Sequence, residues 1–166
     1  MEACSSSNYL ARKFKEFGHI VKLISPQYVK PFVNTNKNDA KDAETICEAA
    51  SRPNMHFVAA KTIEQQDIQA IHRVREGAIA ARTAIANQAR GLLAEYWIVL
   101  PQGIRHLRNK LTEIIQDPKN ELTENGRTLF AGLYDELARL DDRIKIYDQN
   151  LERIYNGSEV CKKLGE

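Results

Sequence analysis

The chain has few cysteines and no long apolar run. Its three cysteines, Cys4, Cys47 and Cys161, are odd in number and lie far apart, which argues against a disulfide framework and against a Cys-x-x-Cys metal site. No apolar stretch approaches the roughly 18 residues that a membrane span needs. No basic segment followed by an apolar one opens the sequence, so it has no pattern of a secretory signal. We therefore expect a protein of the reducing cytoplasm without a membrane partner.

Charge is nearly balanced over the chain as a whole. The 24 Lys and Arg residues exceed the 22 Asp and Glu residues by two, but the basic excess lies in residues 1–110 and the last third is acidic. A basic excess favours nucleic acid as a partner. A solvated helix face explains the same residues about equally well. The candidates for phosphate contacts are Lys37, Lys41, Arg73, Arg75, Arg82 and Arg90.

Residues 1–60 have the pattern of part of an α/β unit. A serine run begins a helix that Gly18 ends, and the β-branched run Ile20–Ile24 then predicts a buried strand. A helix followed by a strand forms the second half of a β-α-β crossover, which implies a parallel sheet whose preceding strand ends at Glu2. A further helix is predicted from about Asp39 to about Ser51.

The next segment predicts a long helix and a short one. The long helix runs from Thr62 to about Tyr96, and the short one lies between Pro101 and Pro118. The apolar stripe of the long helix is thin, since alanine occupies three of its eight positions, and the arginines of this helix lie largely off it. The stripe consists of Ile71, Val74, Ala78, Ala81, Ile85, Ala89, Leu92 and Tyr96.

The strongest periodicity lies between about Glu121 and Tyr155. Eight apolar residues recur there at steps of three and four, as the a and d positions of a heptad repeat do, which predicts a coiled-coil helix. The period alone leaves open whether this helix pairs with the long helix of its own chain or with a second chain. Its e and g positions carry no strict pattern of opposite charges. The a and d residues are Phe130, Leu133, Leu137, Leu140, Ile144, Tyr147, Leu151 and Ile154.

Three carboxylates form a candidate metal site. Asp39 and Asp42 lie three residues apart at a helix start, so both face one side of the helix. Together with Glu2 they offer three hard oxygen ligands of the kind that hold Mg²⁺ for phosphodiester chemistry. The simpler alternative is that acidic residues in a first helical turn complement the helix dipole or cap the helix.

Four segments, in order along most of the chain, resemble the DEDD transposases of bacterial insertion sequences of the IS one-ten group: residues 2–9, 21–27, 37–44 and 87–95. The resemblance implies a RuvC-like nuclease domain that uses Mg²⁺, with DNA and a guide RNA as partners. Of the family's four acidic residues, Glu2 corresponds to the second, Asp39 to the third and Asp42 to the fourth. The first Asp has no counterpart in this sequence.

The resemblance also implies a domain plan. Residues 1–60 are expected to be part of the RuvC-like domain, 61–118 its helical remainder, 119–158 a coiled-coil helix, and 159–166 the start of a C-terminal domain that carries a nucleophilic serine in the family. The expected fold is predominantly α, with a partial α/β N-terminal part and an incomplete sheet. The coiled coil is antiparallel within the chain or dimeric.

The expected function is that of a transposase fragment, located at the nucleoid. Because the first Asp and the serine domain are missing, we expect too few fixed oxygens to hold Mg²⁺ firmly and no transposase activity from this chain alone. The heptad stripe is expected to form a homodimer or a heterodimer with a full-length transposase. Two alternatives stay open: a coiled-coil module that modulates a full-length transposase, and a basic RNA-binding fragment.

Overall fold

A computed structural model describes residues 1–32 and 39–158, except for the side chains of residues 32 and 39. This part of the chain is mostly helical and contains a small two-stranded sheet, and none of its helices is long and apolar enough to cross a membrane. It divides into an N-terminal unit, Met1–Gln66, and a C-terminal unit that begins at Asp67. The elements are α1 (Ser7–Glu16), β1 (Leu23–Ile24), α2 (Pro26–Val29), a 3₁₀ turn (Lys30–Phe32), α3 (Asp39–Ser51), β2 (Phe57–Val58), α4 (Ile63–Ala94), α5 (Ile104–Gln116) and α6 (Glu124–Gly157).

The sheet of the N-terminal unit has both an antiparallel and a parallel contact. Strand β1 pairs antiparallel with β2, with Leu23 opposite Val58. On the other side, Glu2 forms a parallel bridge with Ile24, in which Ala3 N donates to Ile24 O at 2.7 Å and Ile24 N donates to Met1 O at 2.9 Å. Helix α1 connects the two parallel segments. The parallel contact predicted between Glu2 and the following strand is therefore present.

The predicted strand Ile20–Ile24 is too long, and the sheet contains an antiparallel pair in addition to the predicted parallel contact. Helix α1 ends where Gly18 adopts φ +85°, and the chain reaches the sheet only at Leu23, leaving Ile20 93% exposed. The partner strand β2 was not predicted at all. Its two residues are both exposed, so it has neither the length nor the alternation that identifies a strand in sequence.

Helix α3 covers β1 and closes a small core. It spans the predicted range from Asp39 to Ser51. Its Ala49 is buried against Ile24 and Val29, with Ile46 and Met55 at the edge. The core of this unit is therefore formed by β1, the short helix α2 and one face of α3.

Both long helices, α4 and α6, begin with side-chain caps. Before α4, Thr62 N donates to Gln65 Oε1 at 3.1 Å and Gln65 N donates to Thr62 Oγ1 at 3.2 Å. This reciprocal pair is a capping box, which satisfies two backbone donors that a helix start leaves without partners. Thr123 caps α6 by accepting from Gly126 N at 3.2 Å. Both caps lie within about two residues of the predicted helix starts.

Helices α4 and α6 pack antiparallel within the chain. Ala89, Leu93, Phe130 and Leu137 belong to one buried cluster, which α5 joins through its own leucines. A second cluster continues along the same two helices. Every one of the eight predicted a and d residues of α6 is buried or partly buried. The predicted helix is therefore present as α6, and α4 of the same chain packs on part of its stripe. That the stripe forms a coiled coil stays a prediction.

The buried face of α4 differs from its predicted stripe. Val74 and Ala81 are exposed, whereas Ala86 and Leu93 are fully buried. The reason is that α5 also packs on α4, with Leu107 and Leu111 in the same cluster as Ala86 and Leu93. Contact with two helices moves the buried face around the α4 axis, which a single-helix periodicity does not reveal.

The turn between α5 and α6 is held by side chains. Asn120 Nδ2 donates to Ile114 O at 2.6 Å, Arg127 Nη2 donates to Asn120 Oδ1 at 2.9 Å, and Arg127 Nη1 donates to Ile115 O. These bonds satisfy carbonyls in the last turn of α5, which would otherwise lack partners. The direction in which α6 leaves α5 is thereby set.

We predict that Phe130→Ala destabilises the chain by about 3–5 kcal/mol, because it leaves a cavity among fully buried side chains. The neighbouring Leu129 is 53% exposed, so Leu129→Ala should change the free energy of unfolding by no more than about 0.5 kcal/mol. Denaturant unfolding followed by circular dichroism measures both. Equal effects of the two substitutions would contradict the packing of α6.

Candidate functional site

A cavity in the N-terminal unit brings two of the three predicted carboxylates together. Its volume is about 550 Å³, and both Glu2 and Asp42 line it. Glu2 is partly buried and is positioned by its backbone bridge to Ile24. Asp42 is exposed in the first turn of α3. The remaining lining residues are Pro26, Gln27, Val29, Lys30, Thr45 and Ile46.

The start of α3 determines which side chains reach this cavity. Asp42 and Thr45 are three residues apart and therefore lie on one face of the helix. Thr45 is buried and donates from Oγ1 to Lys41 O at 2.7 Å, so its hydroxyl hydrogen is already used. Asp39 is the first residue of α3, and its side chain lies outside the described atoms.

The carboxylate oxygens of the cavity are the type of ligand that a hard divalent cation prefers. Mg²⁺ is usually held by one or two carboxylates together with water and substrate phosphate oxygens, and Glu2 and Asp42 supply two carboxylates. Over the side chains that the structure describes, no group of three His, Cys, Asp or Glu residues is close enough to hold a metal. Lys30 adds a positive charge at the same cavity, which is suited to phosphate.

The predicted phosphate-contacting residues have different environments. Lys37 lies outside the described residues, and Lys41 and Arg73 are exposed. Arg90 is partly buried; its Nη1 donates to Gly103 O at 3.4 Å and its Nη2 to Asn87 Oδ1. These bonds hold Arg90 against the connection between α4 and α5.

Arg75 and Arg82 both face α6, to which they are joined by ion pairs. The sequence pattern instead predicts that they lie largely off the apolar stripe of α4. Arg75 Nε forms an ion pair with Asp148, and Arg82 Nη1 donates to Asp141 Oδ1 at 2.7 Å. Both aspartates occupy e positions of the α6 heptads. Two of the four e positions of α6 therefore carry an aspartate, and the arginines that pair with them lie on α4 of the same chain.

Asp141 connects all three helices of the C-terminal unit, and sequence reasoning missed its role. One carboxylate oxygen accepts from Arg82, and the other lies 2.8 Å from Arg108 Nη1 of α5. The second contact is an ion pair without the alignment of a hydrogen bond, since Asp141 Oδ2 has no hydrogen-bond partner among the described residues. The signal that could have revealed the network is spacing: Arg75 and Arg82 are seven residues apart, as are Asp141 and Asp148.

Comparison with known proteins gives a consistent result. A family model described as "Transposase", for DEDD transposases of the IS110 (one-ten) group, matches residues 4–98. The transposase for insertion sequence element IS1111A of Coxiella burnetii is 40% identical over 164 residues, which cover 99% of this chain and 45% of that protein. A probable family 20 transposase of Pseudomonas aeruginosa is 42% identical over 166 residues, covering 99% of this chain and 49% of that protein.

The transposase for element IS1328 of Yersinia enterocolitica is 38% identical over 164 residues, covering 99% of this chain and 48% of that protein. The chain therefore spans somewhat less than half the length of these curated relatives. No solved structure matches the chain.

We predict that Asp141→Asn destabilises the C-terminal unit by about 1–3 kcal/mol, because it removes the charge that compensates the largely buried Arg82. The neighbouring Asp142 is exposed, and Asp142→Asn, which changes the net charge equally, should have an effect below about 0.5 kcal/mol. Thermal unfolding of both variants makes the comparison. An unchanged midpoint for Asp141→Asn would show that the Asp141 network contributes nothing to stability.

Proposed function

The chain belongs to the DEDD transposase family of IS110-type insertion sequences, and we propose that its N-terminal unit supplies carboxylates to a Mg²⁺-dependent site for DNA transposition. The observation that carries this proposal is that Glu2 and Asp42, far apart in sequence, line one cavity. Asp39 begins the same helix as Asp42 and is the third member of the set. The substrate we propose is DNA, with a guide RNA as a second nucleic-acid partner.

The division of labour within the cavity follows from its residues. Glu2 and Asp42 offer carboxylate oxygens to the cation, with Asp39 as the further ligand. Bound Mg²⁺ would neutralise phosphate charge and help to orient the DNA strand. Lys30, on the same cavity, places an ammonium group where it attracts the phosphate backbone of that strand.

We also propose that the N-terminal unit is part of a RuvC-like domain. The parallel bridge between Glu2 and Ile24 and the helix α1 that connects the two segments support this proposal. In such an arrangement a carboxylate at the end of a strand meets the carboxylates of a helix that follows later in the chain. Glu2 and Asp42 have this relationship across the cavity.

The 166-residue chain by itself is proposed to be inactive in DNA cleavage. The family resemblance implies four carboxylates, and this sequence has counterparts to three of them. Mg²⁺ requires near-octahedral geometry, so a missing ligand reduces both the affinity for the ion and the precision of its position.

The proposed site is tested by titrating the chain with Mg²⁺ and following backbone amide signals by nuclear magnetic resonance. We predict weak binding that shifts signals near Glu2 and Asp42. Glu2→Gln and Asp42→Asn should each weaken it by at least about tenfold, the lower end of what even outer-shell changes cost at metal sites. Supercoiled plasmid incubated with the chain and Mg²⁺ should stay intact.

The matched control is Glu44→Gln. Glu44 is exposed on the same helix and is absent from the lining of the cavity, so its loss changes the net charge equally without removing a ligand. If the Asp42→Asn and Glu44→Gln variants bind Mg²⁺ with identical affinity, the ion is attracted to the acidic surface in general. This result would contradict the proposed site.

Dimerisation through the heptad stripe, with a second copy or a full-length transposase, is proposed for the later turns of α6. Phe130 to Ile144 contribute to the buried clusters of the chain itself. Tyr147, Leu151 and Ile154 are only partly buried, so their apolar surface remains for a partner helix.

Light scattering of the purified chain at micromolar concentrations tests this proposal. We predict a dimer that Leu151→Glu converts to a monomer, because a charge would then be placed in the apolar seam. Ile146→Glu is the matched control, since Ile146 is 54% exposed and lies off the stripe. A wild-type chain that is monomeric alone, and in a mixture with a full-length relative, would rule out this interface.

A further inference from the structure

The C-terminal unit contains a basic cavity of about 280 Å³ between α4, α5 and α6. Three of its lining residues are arginines and one is an aspartate, so positive charge exceeds negative charge by two. None of its residues belongs to the carboxylate cavity. The lining consists of Arg82, Ile104, Arg105, Arg108, Asn109 and Asp141.

Helix α5 presents most of the basic character. Arg108 and Asn109 lie three and four residues after Arg105, so each is a neighbour of Arg105 on the surface of the helix. Both arginines are exposed, and so is Asn109. Their guanidinium and amide groups can therefore meet a ligand that approaches from solvent.

Asp141 holds Arg82 and Arg108 in place without using all their donors. It accepts from Arg82 and pairs with Arg108, whereas each guanidinium carries five N–H donors. The Nε of Arg82 is buried and has no hydrogen-bond partner among the described residues. One arginine is enough to neutralise the single charge of Asp141, and the cavity provides three.

We propose that this cavity binds a phosphate group of a nucleic-acid backbone, with Arg105 and Arg108 contacting the phosphate oxygens and Asp141 positioning Arg82 and Arg108. The guanidinium fork matches two phosphate oxygens at once, and Asn109 adds an amide donor at the same face. The proposal deepens the proposed function, because it rests on a nucleic acid as the partner. It shifts the contact from Arg82, which the sequence favoured, to two arginines of α5.

Fluorescence anisotropy of labelled oligonucleotides tests the proposal on the 166-residue chain. Duplex DNA and single-stranded RNA of equal length form the two arms, each measured between about 50 and about 200 mM salt. We predict that Arg105→Ala and Arg108→Ala each weaken binding by roughly tenfold and lower the slope of log Kd against log salt by about one. The arm that shows the larger loss identifies the source of the phosphate.

Arg139→Ala is the matched control. Arg139 is exposed on α6 and does not line the cavity, so this variant loses the same charge elsewhere and should keep the wild-type salt slope. Arg105→Ala is the main test variant because Arg105 has no ion pair with Asp141. The thermal unfolding of this variant should therefore match that of the wild type. Arg105→Lys, which keeps the charge but loses the fork, should retain the slope and bind more weakly.

Two results would overturn the inference. If the wild-type chain binds and Arg105→Ala behaves as Arg139→Ala does, the cavity is only a structural network, and the proposed transposase site is unaffected. If the wild-type chain binds neither oligonucleotide at the lowest salt, the cavity has no nucleic-acid ligand, and the Mg²⁺ titration of Glu2 and Asp42 still decides the proposed function separately.

Discussion

The antiparallel contact between α4 and α6 is the constraint on which the C-terminal unit depends. Apolar burial drives the two helices together, but it is non-directional and tolerates sliding by a turn. The ion pairs Arg75–Asp148 and Arg82–Asp141 are spaced by seven residues on both helices and run in opposite order, so they match in one antiparallel register. Phe130 and Leu93 meet in the core in that same register. Helix α5 then closes over both helices, with Arg108 joining Asp141.

The N-terminal unit holds its two cavity carboxylates in different ways, and this bears on its chemistry. Glu2 reaches the cavity because two backbone hydrogen bonds tie residues 1 and 3 to Ile24. A typical hydrogen bond contributes only about 1 kcal/mol net, so the position of this carboxylate rests on modest energies. Asp42, by contrast, projects from a 13-residue helix whose Ala49 is fully buried. A site with one firmly held and one weakly held carboxylate is consistent with a proposed Mg²⁺ affinity that is low in this chain.

The arginines of α4 have different environments although they are similarly spaced in the sequence. Arg73, Arg75 and Arg82 look alike along the sequence, yet Arg73 is exposed while the other two pair with aspartates of α6. Whether an arginine pairs with α6 depends on the face of α4 on which it lies. The buried face of α4 differs from the predicted one because α5 also packs on this helix. On α5, Arg108 pairs with Asp141 whereas Arg105 does not, and Arg105 is the arginine that we propose as the primary phosphate contact.

The sequence by itself determined the main helices and the acidic motif, because these depend on neighbours within a few residues. The range of α3, the starts of α4 and α6 and the α6 stripe all follow from local spacing, whereas the serine run before α1 forms no side-chain cap. The family resemblance, carried by short motifs, is likewise readable without a fold, and it singled out Glu2, Asp39 and Asp42.

Only the tertiary structure decided what each local element contacts. The pairing of β2 with β1, the packing of α4 on α6 and the bridging role of Asp141 all join residues more than thirty positions apart. Such contacts depend on how several elements pack around one core. The periodicity of a single element does not contain that information. The shared cavity of Glu2 and Asp42 is likewise a tertiary feature. The sequence identifies both residues as candidate metal ligands, but only the packing of α3 over β1 brings them to one cavity.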